Sequence, residues 1–121
     1  MVRNRGDRMP VLISDIMNNF AEDMKKIFGD NYKETIVYGS YARGDYDENS
    51  DIDVMILVDF LEEDICMYKD KVSDCAFEYF MNYGVDISPI IKNEEHFNKW
   101  VEDLPYYNNV REEGVSLDVR K

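Results

Sequence analysis

The chain has 121 residues, 45% of them hydrophobic, and 26 acidic against 14 basic residues give it a net charge of −12. That length suits one domain, and that apolar content can build a core, which excludes a disordered chain. No apolar run reaches the roughly 18 residues of a membrane-spanning helix, the start "MVRNRGDRMP" lacks the apolar stretch of a signal peptide, and the acidic balance disfavours a large nucleic-acid ligand, whose phosphates select a basic stripe. The expectation is a cytoplasmic protein with residues 1–9 as a flexible tail and 10–121 as a single domain. The basic cluster Arg3, Arg5 and Arg8 falls in that tail. A basic protein partner, or a small anion neutralised by metal, suits such a surface.

Along the chain, Pro10 to Phe28 reads as a helix, because Ile13, Ile16, Met17, Phe20, Met24 and Ile27 recur at steps of three and four. Gly29-Asp30-Asn31 stops it. Thr35 to Tyr38 reads as a short buried strand. Asp51 to Val58 reads as a second strand, apolar on both faces and therefore central. Glu62 to Tyr83 reads as one long helix with Ile65, Tyr68, Val72, Cys75, Ala76, Tyr79 and Phe80 on its inner face, ended by Gly84. On that helix Cys66 and Cys75 would point to opposite faces. With no metal-type spacing they read as reduced, structural thiols. Val85 to Ile91 reads as a third strand, and Pro89 within it predicts an edge position or a bulge. Asn93 to Val101 reads as a helix with an Asn cap, and "DLPYYNNVREEGVSL" adds one more short helix with Gly114 near its end. Helices alternating with short strands give an α/β class.

The densest stretch is "IVYGSYARGDYDENSDIDVMILVD", Ile36 to Asp59. Side chains alternate along a strand, so Asp51 and Asp53 point the same way above a buried Ile52. Two carboxylates held that close repel each other, and a hard divalent cation with oxygen ligands relieves the repulsion. Gly39 permits close backbone approach, and Ser40 opens what reads as one helical turn, "SYAR", whose free N–H groups suit an anion. A nucleoside triphosphate bridging that loop and a metal on the Asp pair is a coherent ligand. Asp86, at the mouth of the third strand, joins the pair if that strand lies beside the second. Three carboxylates suffice for two metals, one on the phosphates and one activating an incoming hydroxyl.

Gly-Ser followed ten residues later by Asp-x-Asp is the signature of the polymerase-beta-like nucleotidyltransferase superfamily. "GSYARGDYDENSDIDVMILVD" most resembles the minimal nucleotidyltransferase (MNT) antitoxins of HEPN/MNT toxin–antitoxin pairs. The resemblance runs from the first helix through "LPYYNNVREEGV". It implies an α/β (α+β) nucleotidyltransferase fold, a small mixed sheet flanked by helices. It also implies triphosphate contacts at Gly39 and Ser40, with metal binding and catalysis at Asp51, Asp53 and Asp86. Arg43 is a further candidate for steadying the triphosphate, against a local ion pair with Asp45 or Asp47. The implied cofactor is Mg²⁺, two ions, with ATP as substrate. The implied activity is transfer of AMP to a tyrosine hydroxyl of a partner HEPN RNase toxin, silencing it. No domain for a small acceptor is visible, so the acceptor is expected on another molecule. The alternatives are a non-catalytic antitoxin that binds its toxin stoichiometrically, and transfer to a small molecule such as an aminoglycoside. His96 is the single histidine, which argues against a zinc site or a Ser-His-Asp hydrolase. Asp45, Asp47 and Glu48 read as a solvated acidic loop, and Tyr106 and Tyr107 as packing residues.

Overall fold

The first element, α1 (Val11–Phe28), is a helix because its large apolar residues fall on one face. Ile16, Met17, Phe20, Ala21, Met24 and Phe28 are all buried, each large one contributing about 1.5–3 kcal/mol of transfer free energy. Lys25 and Lys26 in its last turn complement the negative end of the helix dipole. A short 3₁₀ turn then feeds β1 (Tyr32–Tyr38). The remaining elements are α2 (Ser40–Arg43), β2 (Ile52–Val58), α3 (Glu62–Ile65), α4 (Lys69–Tyr83), β3 (Ile87–Asn93), α5 (Glu94–Trp100), α6 (Pro105–Glu113) and β4 (Val115–Ser116). This computed structural model describes residues 11–47 and 50–117, so the expected tail at 1–9 and Glu48 lie outside the described residues.

The four strands form one mixed sheet in the order β3-β2-β1-β4. β1 runs antiparallel to β2 and β4, whereas β2 and β3 are parallel. Side-chain alternation divides the core in two. Val37, Ile52, Val54, Ile56 and Val58 face α1 and α4, while Ile36, Met55 and Leu57 face Phe97, Tyr107 and Val110 of α5 and α6. Covered on both faces, β2 is buried from Val54 to Val58, as its unbroken apolar run implies. β3 is an edge strand, which accommodates Pro89 and its missing N–H. The α/β class and a nucleotidyltransferase-like mixed sheet flanked by helices are what the sequence leads one to expect.

Several boundaries differ from those expectations. β1 begins at Tyr32, earlier than Thr35, and β3 begins at Ile87, which leaves Asp86 just ahead of the strand. The single long helix is two. After α3, a 3₁₀ turn at Cys66–Tyr68 intervenes, and Tyr68, at φ −102°, ψ −8°, stands at the N-cap of α4. That turn sets the Tyr68 ring among Phe28 and Phe60, both at a centroid distance of 5.0 Å. Phe80 is not on the inner face but 47% exposed. Cys66 is exposed rather than structural, and Cys75 is half-buried; both are free thiols. β4 was not expected. It is two residues long, paired to Ile36 and Val37, too short for any periodic signal. Gly84 ends α4 in the left-handed region, at φ +68°, and Asn93 caps α5 by accepting a hydrogen bond from the His96 N–H at 2.8 Å. Among the described residues no helix is long and apolar enough to cross a membrane.

Candidate active site

β1 ends at Tyr38, and β2 begins opposite it, with Tyr38 paired to Asp53. Between them the chain turns through Gly39 at φ +75°, ψ −151° into the single turn α2. The glycine is required twice over. Its φ is strained for any residue with a side chain, and a Cβ there would lie 2.5 Å from Asp53 Oδ2. The Asp53 carboxylate is therefore seated against the Gly39 backbone. α2 is closed by the Gly44 N–H donating to the Ser40 carbonyl at 2.8 Å, and Tyr41 and Ala42 bury its inner side.

The parallel neighbour supplies the third carboxylate. The Ile52 N–H donates to the Asp86 carbonyl at 2.8 Å, which aligns the start of β3 with the start of β2. Asp51 and Asp86 are exposed, Asp53 half-buried. The Asp86 carboxyl pKa is raised by burial, then by the Asp51 charge and hydrogen bonding with Asp51. Asp53 is raised too, by burial and then by Asp51, against a lowering contribution from Arg43. Asp51 thus disfavours the charge of both Asp53 and Asp86 at this corner of the sheet. The structure places Asp51 near enough to both Asp53 and Asp86 to raise their pKa values, with Asp53 and Asp86 on neighbouring strand starts.

Arg43 pairs with Asp45 at 3.2 Å and with Glu113 of α6 at 3.7 Å. The local ion pair is present, yet Arg43 stays near enough to Asp53 to oppose its shift. Asp47 and Ser50 hydrogen-bond each other across the acidic loop. Two tyrosines meet at this corner, and their pairing carries no sequence signal. The Tyr38 and Tyr106 hydroxyls hydrogen-bond at 2.6 Å, with their rings edge-to-face at 5.9 Å. Burial, and then that bond, push the Tyr38 hydroxyl pKa up. Position alone marks Tyr38, which directly precedes Gly39-Ser40. Tyr107 is buried as expected, but Tyr106 is 42% exposed, so the two do not share one packing role. The His96 ring hydrogen-bonds the Tyr107 hydroxyl at 3.2 Å through Nδ1 and packs against Tyr107 and Trp100.

A divalent cation is tested by the donors present. The three carboxylates are hard oxygen donors whose mutual repulsion a cation relieves, and Gly39 leaves Asp53 the space a Cβ would occupy. Among the described residues no three His, Cys, Asp or Glu side chains are gathered into a ready-made cage. That suits a cation held by one or two carboxylates and completed by substrate phosphates. The donor set fits on those terms.

Comparison with known proteins agrees with this geometry. Residues 17–118 match the nucleotidyltransferase domain family. Two proteins of Methanocaldococcus jannaschii are similar along most of their length. "Putative protein adenylyltransferase MJ0141" is 38% identical over 95 residues, covering 78% of this chain and 94% of that one. "Putative protein adenylyltransferase MJ0604" is 39% identical over 103 residues, covering 84% and 93%. A crystal structure from Sulfolobus solfataricus described as a "putative nucleotidyltransferase" superposes with a TM-score of 0.63 at 19% identity, over 98% of this chain and 91% of that one, and so shares the fold. The chain belongs to the nucleotidyltransferase domain family, and nucleotidyl transfer is its class of activity.

Proposed function

We propose that this protein transfers AMP from ATP to a tyrosine hydroxyl of a partner HEPN-domain RNase, silencing that toxin. The observation that carries the reading is the carboxylate corner, Asp51, Asp53 and Asp86 assembled beside the Gly39-Ser40 turn. The names of the two archaeal relatives support a protein acceptor over a small molecule.

In this reading Gly39 and Ser40 hold triphosphate oxygens on backbone N–H groups, and Arg43 steadies them from the end of α2. Asp51 and Asp53 would be the principal residues to hold Mg²⁺, two ions in all, with Asp86 completing the set. When bound, the metal neutralises phosphate charge and lowers the barrier to in-line attack. Asp86, exposed just ahead of β3, orients the incoming tyrosine hydroxyl and takes its proton. The tyrosine oxygen bonds to the α-phosphorus as the bond to pyrophosphate breaks. Positioning and charge neutralisation supply most of the rate for such a transfer.

The test is the intact mass of the HEPN-domain protein after incubation with this chain, Mg²⁺ and ATP, with Asp53→Asn as control. A gain of one or more AMP units that is absent in the control supports the proposal. A stable complex with no mass gain would replace it with neutralisation by occlusion alone.

A further inference from the structure

Two depressions of about 350 and about 340 Å³ lie end to end between α4 and β3, sharing Ser73 and Pro89. The first of them is lined by Phe77, Phe80 and Asp86, so the groove opens directly onto the carboxylate corner. Along its α4 wall an apolar strip faces outward: Phe77 is 61% exposed, Phe80 47% and Met81 65%. The two phenylalanine rings lie side by side, 6.4 Å between centroids. A contiguous exposed apolar strip on a highly charged protein marks a contact surface.

Charge decides which contact. Asp74 and Glu78 are exposed on α4 beside the strip and Asp86 closes its end, whereas Lys69 and Lys92 line, with Glu62, only the far depression, so the acidic end of the groove is the one that holds Phe77 and Phe80. A second copy of the chain would bring the same carboxylates, and a net −12, against themselves. A partner presenting cationic residues around apolar anchors meets complementary charge. Backbone geometry narrows the form of contact. β3 is an edge strand, but Pro89 removes an N–H from its middle, which blunts pairing with an added strand. The groove is therefore suited to side chains of a helix laid along it.

We propose that the α4–β3 groove is the docking site for the acceptor protein, whose cationic, apolar-anchored helix seats on Phe77 and Phe80 and so delivers its hydroxyl to the corner at Asp86. This rests on the protein-acceptor reading above and adds to it the surface that selects the acceptor.

The test compares wild type, Phe77→Ser/Phe80→Ser, Asp74→Lys/Glu78→Lys and Asp53→Asn. The probe is the HEPN-domain protein, with complex formation and AMP transfer measured separately. Phe77, Phe80, Asp74 and Glu78 are exposed, so unchanged urea midpoints and unchanged Mg-ATP binding are expected in both double variants. The serine pair is expected to weaken the complex at least about tenfold, as loss of two aromatic anchors does. It raises the KM for the acceptor while kcat at saturation holds. The lysine pair slows association, and Asp53→Asn binds normally without transferring. Wild-type affinity in the serine pair overturns the docking site and leaves the transfer reading standing. Binding that depends on Phe77 and Phe80 without transfer by any chain keeps the docking site and sinks the transfer. Absence of a wild-type complex, or wild-type self-association that the serine pair abolishes, overturns the docking proposal.

Discussion

Gly39 carries a hydrogen where any other residue carries a carbon, and the Asp53 carboxylate occupies the space that carbon would need. Gly39→Ala therefore incurs both a φ of +75° and a clash, each of order 1 kcal/mol or more. The expected result is a protein less stable by about 2 kcal/mol in urea denaturation, with transfer activity lost even where it is folded. Retained activity would mean that Asp53 need not sit against the turn. Asp53→Asn tests the same corner without strain. In the native ligand-free chain the Asp53 and Asp86 carboxyls lie above the ordinary carboxylate value, which they regain on unfolding. The native state thus holds those protons more tightly. Their contribution to stability is full below the ordinary carboxylate pKa and is lost as pH rises through the raised values. Asp53→Asn removes the Asp53 share of that penalty. Its Tm relative to wild type, measured by scanning calorimetry without divalent cations, is expected to increase from acid to neutral pH. A Tm difference that stays constant with pH would count against the crowding.

Between elements, one polar contact stands out in the apolar packing of α1 on α4. The Tyr79 hydroxyl donates to Asp23 Oδ2 at 2.7 Å, and the Cys75 thiol approaches the same oxygen at 3.9 Å. Burial, and then Asp23, push the Cys75 pKa up to about 12, so this thiol is inert toward mild alkylating reagents. Tyr79→Phe leaves the half-buried Asp23 carboxylate without its hydroxyl donor, which costs about 1–3 kcal/mol, read from the urea midpoint with transfer activity unchanged at saturating substrate. A midpoint equal to wild type would show that water replaces the hydroxyl. The elements themselves were mostly legible. α1, β2 and the Asn93-capped α5 have strong periodicity or a cap, and the spacing of Gly39-Ser40 with Asp51 and Asp53 marks the candidate site. What stayed hidden depends on distant partners. The break at Tyr68 answers to Phe28 and Phe60, the outward turn of Phe80 answers to where α4 meets the sheet, and β4 exists only because Ile36 and Val37 offer it an edge. The Tyr38–Tyr106 pair joins residues 68 positions apart, beyond any local pattern.

Over the whole molecule, charge is the dominant long-range property. A net −12 gives a basic partner electrostatically accelerated association. The association rate with the proposed HEPN-domain partner is expected to fall several-fold between about 0.05 and about 0.5 M salt, as the Debye length drops from more than 10 Å to a few ångströms. Dissociation should change little. Stopped-flow fluorescence of Trp100, 39% exposed, offers a readout, and a salt-independent association rate would remove charge from the account of partner choice.

The parallel pairing of β2 with β3 has a consequence for synthesis. Asp51 and Asp53 leave the ribosome well before Asp86, and the two strands can align only after the whole α3–α4 crossover has been made and packed. The turn at Gly39 and the first two carboxylates are local. The third arrives by the slowest kind of closure available to a sheet. No chain that stops short of β3 holds the three acids together, so the corner forms only in a chain that has completed its crossover.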